Sequence, residues 1–180
     1  MELLNPLISE YTWANKPSVA PLGQIICVTD VGENGILCRG NGTKWVRTSP
    51  TTSYGLGSTV ALTGTTTETT LLTIPIKGGL MGVLGRLNAL SFFSLTNNAN
   101  VKTLRAKIGA NTIASAISTN QNATGFHFWL LNLNSNTSQR NNNAASFSID
   151  TGVDFDLVIT GQLANAADSL TLTTQTTEII

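Results

Sequence analysis

Apolar side chains recur at every second position through most of residues 85–180. In VKTLRAKIG, Leu104, Ala106 and Ile108 fall on one side of the chain, and Thr103, Arg105 and Lys107 on the other. A period of two belongs to a half-buried strand, because successive side chains of a pleated backbone point to opposite faces. The same reading predicts strands at 59–63, 68–76, 87–96, 101–109, 111–118, 125–133, 145–151, 155–162 and 169–179. Between them lie loops of Asn, Ser, Thr, Gln and Gly, and a Gly-studded bend, GGLMGVLG, at 78–85. QLANAADS at 162–169 is the one place where a helical turn would fit. About nine strands without a helix predict a sandwich or jelly roll rather than a parallel sheet.

The first third of the chain is patterned differently. Residues 1–20 show little periodicity, are broken by prolines and read as a leader. Residues 21–50 read as a small β meander. QIICVTD, ILCRG and KWVRT are its strands, and VGEN (31–34) and GNGT (40–43) are its turns. Trp45 is its largest apolar group. Three short strands hold together poorly alone, so this unit is expected to lean on a neighbouring copy, another protein or the larger domain. Residues 51–58, rich in Thr, Ser and Gly, read as a linker. The expected fold is therefore all-β: the small N-terminal meander, then a jelly-roll-like antiparallel β-sandwich over 59–180.

Composition narrows the function. Charged residues make up 11% of the chain, well under the roughly 25% of an ordinary soluble domain. Thr, Ser and Asn take their place, at about a third of the positions. Such a surface suits packing against identical chains, where each unpaired buried charge is costly. Ten basic residues balance ten acidic ones, so no long-range field steers nucleic acid or an anionic membrane toward the protein. Near-neutrality also offers little resistance to self-association. The opening MELLNPLISEYTW has neither the basic start nor the apolar stretch of a signal peptide, which predicts synthesis in the cytosol. No segment is long and apolar enough to span a bilayer as a helix.

Chemistry-bearing residues are sparse. Cys27 and Cys38 flank the first turn; a disulfide across a hairpin and two small apolar strand residues are both open, and the second is favoured. No zinc spacing accompanies them. The single histidine, His127, sits in FHFWLL on the strand face opposite Phe126 and Phe128. Without a nucleophile-elbow context it reads as a strand residue rather than a general base. Asp150, Asp154 and Asp156 cluster in SIDTGVDFD. A calcium loop needs five or more converging oxygens and a glycosidase needs two opposed carboxylates, so turn capping is the better reading. The glycines of KGGLMGVLG have no Walker lysine after them, which argues against phosphate binding. The most suggestive surface feature is NLNSNTSQRNNN at 132–143. Amides donate and accept at once, which suits sugar hydroxyls, and Trp129 just upstream offers a stacking surface. Trp129, Asn134, Asn136, Gln139, Arg140, Asn141 and Asn142 are therefore the candidate glycan-contacting residues.

YTWANKPSVAPLGQIICVTDVGENGILCRGNGTKWV resembles a module of tailed-phage virion proteins, through TWANKP, VTDVG and the tryptophan-closed GNGTKW turn. GRL, SLTNNANVKTLRAKIG, NTSQ, SIDT and LVITGQLANAADSLTLTT resemble the strand-rich domain that often follows it. The resemblance spans nearly the whole chain, although the leader before TWANKP is shorter than the virion-anchoring segment the family often has. It implies a phage tail fibre or virion appendage, similar in particular to short tail fibres of phages of Gram-negative hosts such as Acinetobacter. Such proteins are usually homotrimers, and no catalytic, cofactor or metal residues carry over. The implied partners are other tail or baseplate proteins and a bacterial surface polysaccharide, with neither nucleic acid nor membrane insertion. The implied location is the virion tail, after synthesis in the host cytoplasm. Two alternatives stand beside it: a head fibre or capsid decoration protein, and a capsular polysaccharide depolymerase. The depolymerase is disfavoured because it calls for a long parallel β-helix and a carboxylate pair.

Overall fold

The computed structural model describes residues 8–31, 35–48, 52–55 and 58–180, and these are all-β, with no helix among them. The chain divides into two compact units, residues 1–52 and 53–180.

In the first unit, four strands form one sheet in chain order: β1 (Ser9–Tyr11), β2 (Ile25–Val28), β3 (Ile36–Gly40) and β4 (Trp45–Arg47). β1 lies in the stretch read as leader and pairs parallel to β2, a strand that no alternation announced. Most of the predicted VGEN turn lies outside the described residues. The motifs TWANKP, VTDVG and GNGTKW are what tie this unit together. The Trp13 amide donates to Asp30 Oδ1 at 2.6 Å, and the Trp45 indole donates to the Pro17 carbonyl at 2.7 Å. Lys16 donates to the Trp13 carbonyl and lies over the Trp13 ring, 4.1 Å from its centroid. Asn41 Oδ1 accepts from the amides of Thr43 and Lys44, which shapes the turn. A Cβ on Gly40 would fall 2.1 Å from the Pro21 carbonyl oxygen, so only glycine lets the chain pass so close.

The two cysteines cannot bridge. Cys38 pairs with Ile26 and Cys27 with Leu37, in adjacent registers of β2 and β3. Alternation therefore sends the two side chains to opposite faces, and neither is in a disulfide.

The second unit is a two-sheet sandwich. Its smaller sheet runs β10 (Asn111–Ser118), β9 (Lys102–Ile108), β14 (Phe155–Leu163), β7 (Thr69–Ile76), all antiparallel. Its larger sheet runs β13 (Ser146–Phe147), β12 (Gln139–Asn141), β11 (Ala123–Asn132), β8 (Arg86–Leu95), β15 (Ser169–Ile179), with β5 (Thr52–Gly55) and β6 (Val60–Thr63) both against β15. Sequence neighbours repeatedly cross from one sheet to the other, so β14 lies beside β9 and β15 beside β8. Two expectations are corrected. The stretch read as linker contains β5, which joins the larger sheet; Ser and Thr do not break a strand when a sheet edge supplies the partner. The strand expected over 145–151 shrinks to β13, and β12 forms inside the Asn-rich stretch.

Burial follows the predicted period. β9 alternates buried and half-buried, with Leu104, Ala106 and Ile108 inward, and β8 sends Leu87, Ala89, Phe93 and Leu95 into the same interior. Phe126, Phe128 and Leu130 of β11 and Leu157, Ile159 and Leu163 of β14 fill the rest. A Cβ on Gly161 would touch Leu71, Leu170 and Leu62 at 3.1–3.3 Å, which shows how tightly side chains of the two sheets interlock. Three inward polar groups of β8 and β15 pair with one another: Ser91 donates to Gln175, whose amide donates to Thr177 at 2.7 Å.

One inward position of β9 is a lysine. Lys102 is fully buried, in phase with Leu104, and lies 3.3 Å from Asp168 Oδ2. It also donates to Asn98 and, at 2.9 Å, to the Asn100 carbonyl; Asn98 in turn donates to Asp168 Oδ1 at 2.7 Å. The cluster joins the turn after β8 to the turn before β15.

The Asn98 amide is the main cause holding the Asp168 pKa below the ordinary 3.8; burial opposes it, and Asn100 and Lys102 add to the lowering. A carboxyl with a depressed folded pKa contributes stability above its unfolded value and loses it as pH falls through the folded one. The melting temperature of the wild type should therefore fall as the solution is acidified below about pH 4. Asp168→Asn should melt lower at neutral pH and show a flatter acid limb; an unchanged acid limb in that variant would count against the assignment. A second expectation concerns the thiols: mass spectrometry after mild oxidation should find no link between Cys27 and Cys38 within one folded chain, and finding that link would refute the face assignment.

Candidate functional site

The outer faces of the two sheets differ in chemistry. The smaller sheet carries charge. Glu68 lies 3.2 Å from Arg105 and 3.3 Å from Lys107, and accepts a 2.7 Å hydrogen bond from Thr160. The Thr160 hydroxyl is the largest cause of its lowered pKa; burial opposes it, and the two cations add to the lowering. Arg105 also reaches Gln162 at 3.1 Å.

The larger sheet presents aromatic, aliphatic and hydroxyl groups. Phe92 and Leu90 of β8 are exposed, at 47% and 37%. Phe92 is registered opposite Gly125, and a Cβ there would lie 3.5 Å from its ring, so the ring spreads over bare glycine backbone. A shallow trough of about 340 Å³ opens beside it, lined by Ser94, Thr124 and Thr173 among others. One register step along, His127 faces Leu90, and its Nε2 is 2.8 Å from Asn88 Oδ1. Trp129 follows, half-buried and opposite Asn88. Leu131 comes next, paired with exposed Arg140 of β12.

The candidate residues fall into two sets. Trp129, Asn134, Arg140 and Asn142 reach the surface, with Asn134 held at a φ of 53° in the turn that leaves β11. Gln139 and Asn141 point inward and are corrected to a supporting role, because β12 alternates and both flank outward Arg140. Gln139 donates to Asn132 Oδ1 at 3.1 Å and to the Asn136 carbonyl at 2.8 Å, and accepts from the Ile149 amide at 2.9 Å. Asn141 donates to the Ile113 carbonyl at 2.7 Å, reaching across to the smaller sheet, and accepts from the amides of Asn143 and Ala145. Half-buried Asn136 acts mainly through its carbonyl, which also accepts from Thr151. Asn132, fully buried, completes the web with bonds to Gly82 and Thr151. Sequence reasoning took the stretch for loop because inward amides carry no apolar signal; the alternation Gln139, Arg140, Asn141 was the available clue.

The carboxylates do not converge. Asp150 caps its own turn by accepting from Gly152 N at 2.8 Å. Asp154 accepts from Gly78 N at 2.8 Å, the largest cause of its lowered pKa, and pairs with Lys77 at 3.4 Å. The resolved shifts at Glu68, Asp154 and Asp168 all run downward, opposite to those of a carboxyl poised as a general acid near neutrality. No group of three His, Cys, Asp or Glu able to hold a metal occurs among the described residues.

No protein-family model matches the chain, and no curated protein matches it. Similar solved structures come from infectious bursal disease virus. The T13 viral particle aligns at 10% identity and a TM-score of 0.40 over 91% of this chain and 38% of that one. The VP2 subviral particle aligns at 10% identity and 0.39 over 89% and 39%. The Gx strain aligns at 9% identity and 0.40 over 92% and 40%. The chain thus spans about two-fifths of the length of the chains it resembles. At these values the likeness carries no argument about function.

Because the amides of Gln139 and Asn141 are buried and each satisfies several partners, Gln139→Ala or Asn141→Ala should cost about 1–3 kcal/mol in denaturant unfolding. Arg140→Ala and Asn142→Ala should stay within about 0.5 kcal/mol of wild type. Equal losses at inward and outward positions would show that the β12 alternation is misassigned.

Proposed function

We propose that the chain is a non-catalytic structural protein of a phage virion, a homotrimeric tail fibre that attaches to a bacterial surface glycan. The observation that carries the reading is the edge of the larger sheet: a rigid web of buried amides under an outward row of Trp129, Leu131 and Arg140, with Asn134 and Asn142 in the adjoining turns. A half-buried indole offers a flat apolar shelf for a sugar ring, and a guanidinium with exposed amides offers directional donors for its hydroxyls. The supporting strands lose little entropy when such a ligand docks, since they are already ordered. One such site is shallow and weak; three on a symmetric fibre gain affinity through effective concentration. The virion assignment draws on the resemblance carried by TWANKP, VTDVG and GNGTKW, whose residues also make the bonds that close the N-terminal unit.

The triple variant Trp129→Ala, Arg140→Ala, Asn142→Ala should bind host cells or their purified polysaccharide at least about tenfold more weakly, while keeping the β-type circular dichroism of the folded wild type. Full binding by a folded triple variant would remove this edge from the attachment reading. Antibody against the chain should label the tail tip of virions; label on the head would replace the tail fibre with a decoration protein. Shortened polysaccharide chains after incubation with the protein would replace both with a depolymerase.

A further inference from the structure

We propose that Lys102 and Asn98 condense into an amide bond inside the folded chain, with release of ammonia, and that Asp168 carries the protons. The site is the buried cluster where the chain leaves β8 and enters β9, which the attachment reading does not use. Lys102 Nζ donates to Asn98 Oδ1 at 2.5 Å and to the Asn100 carbonyl at 2.9 Å. Asn98 Oδ1 also accepts from the Asn100 amide at 3.1 Å. Asn98 Nδ2 donates to Asp168 Oδ1 at 2.7 Å. Asp168 Oδ2 lies 3.3 Å from Lys102 Nζ and is left without a hydrogen bond of good geometry. The Lys102 and Asp168 side chains are 1% and 4% exposed, so water has little access to them. Asn98 is half-buried, which leaves ammonia a way out.

An ion pair needs only an ammonium and a carboxylate. Here a primary carboxamide stands between them, and each of its atoms meets the group that acyl transfer requires. Its carbon is the electrophile. A C=O bond is about 1.2 Å long, so Asn98 Cγ lies within about 3.7 Å of Nζ, bordering on the roughly 3–3.5 Å of a near-attack pair. Its oxygen gains charge during attack, and the Asn100 N–H already points at it. Its nitrogen is the leaving group, and it already touches the carboxyl that can protonate it. Asp168 is the poorer acceptor, because it is held ionised and a carboxylate is a weak electrophile.

The steps balance. Lys102 passes one proton to Asp168 Oδ2, leaving a neutral amine and a neutral acid. The Lys102 side chain swings from the carbonyl oxygen to the face of the carbon, its lone pair attacks Asn98 Cγ, and the C=O π pair moves onto Oδ1. Asp168 gives its proton to Nδ2 and takes another from the attacking nitrogen. The Cγ–Nδ2 bond breaks, the C=O re-forms and ammonia departs. A secondary amide and a protonated Asp168 remain. Two buried charges have become none, so the desolvation that opposes an ion pair favours the product. No co-reactant is consumed. The bond ties β9 of the smaller sheet to the turn leaving β8 of the larger one, and neither denaturant nor reductant reverses it. The acid sensitivity of Asp168 described above belongs to the chain before this bond forms.

Tryptic mapping by mass spectrometry of the full chain, incubated folded at neutral pH, tests this. Trypsin cuts after Arg86, Lys102 and Arg105, but not after a lysine whose Nζ is in an amide. The expected product is peptide 87–105, uncut at Lys102 and lighter than its sequence by one ammonia. It should be absent from a sample kept unfolded in guanidinium. Asn98→Ala and Asp168→Asn should each restore both the cut at Lys102 and the full mass. The wild-type map decides even where a variant fails to fold: complete cleavage at Lys102 with full mass overturns the proposal. Ammonia lost with Lys102 still cut marks a succinimide and overturns it too. Loss of water instead, with Lys102 joined to Asp168, overturns the choice of acceptor. The same bond in folded Asp168→Asn overturns the proton-carrying role of Asp168.

Discussion

Each strand of a two-layer sandwich must give one of its two faces to the core, and the pleat assigns those faces alternately. Leu104, Ala106 and Ile108 satisfy that demand on β9, as Phe126, Phe128 and Leu130 do on β11. Once the inward set is committed, every second side chain is left over, and it is there that the two sheets diverge. The smaller sheet spends its outward positions on ions and the larger sheet on Phe92, Leu90, Trp129 and threonines. Function therefore has to be sought in the leftover set, because the inward set would be much the same in any sandwich.

The inward alternation was legible because Leu, Ile and Phe announce it, and so most strands of the sandwich lie within a residue or two of where the pattern puts them. Three features were hidden for physical reasons. β1 and β5 are short, polar and held by a neighbouring strand, and a backbone ladder leaves no mark on side-chain polarity. β12 alternates in amides, whose burial depends on partners as distant as Ile113 and Ile149. Lys102 was visible as a charge in the phase of Leu104, but its partner Asp168 is 66 residues away and comes close only after the sheets stack. Half-buried Trp129 and exposed Arg140 were legible as residue types; their placement in neighbouring rows of one face needed the register.

Buried polar groups also explain how an amide-rich edge stays rigid. An unpaired amide inside a protein is costly, so a loop of asparagines turned inward would be a liability unless each found partners. Gln139 and Asn141 each bond on both the donor and acceptor sides, and Asn132 ties the strand end to Gly82 and Thr151. The net gain per bond is modest, but the arrangement leaves few alternative conformations that satisfy the same groups. The fold thus orders the outward row of Trp129, Leu131 and Arg140 through the amides beneath it.

The same logic bears on why charge is so scarce. A fibre or shell buries much of each subunit's surface against its neighbours, and every charge placed there needs a partner at the right distance on another chain. Threonine avoids the problem: its methyl packs like valine, its hydroxyl finds a nearby carbonyl, and its branched Cβ favours the strand. The carboxylates that remain with resolved shifts, Glu68, Asp154 and Asp168, are each held ionised by a donor within the same chain. None of the three has to look outward for a counter-charge.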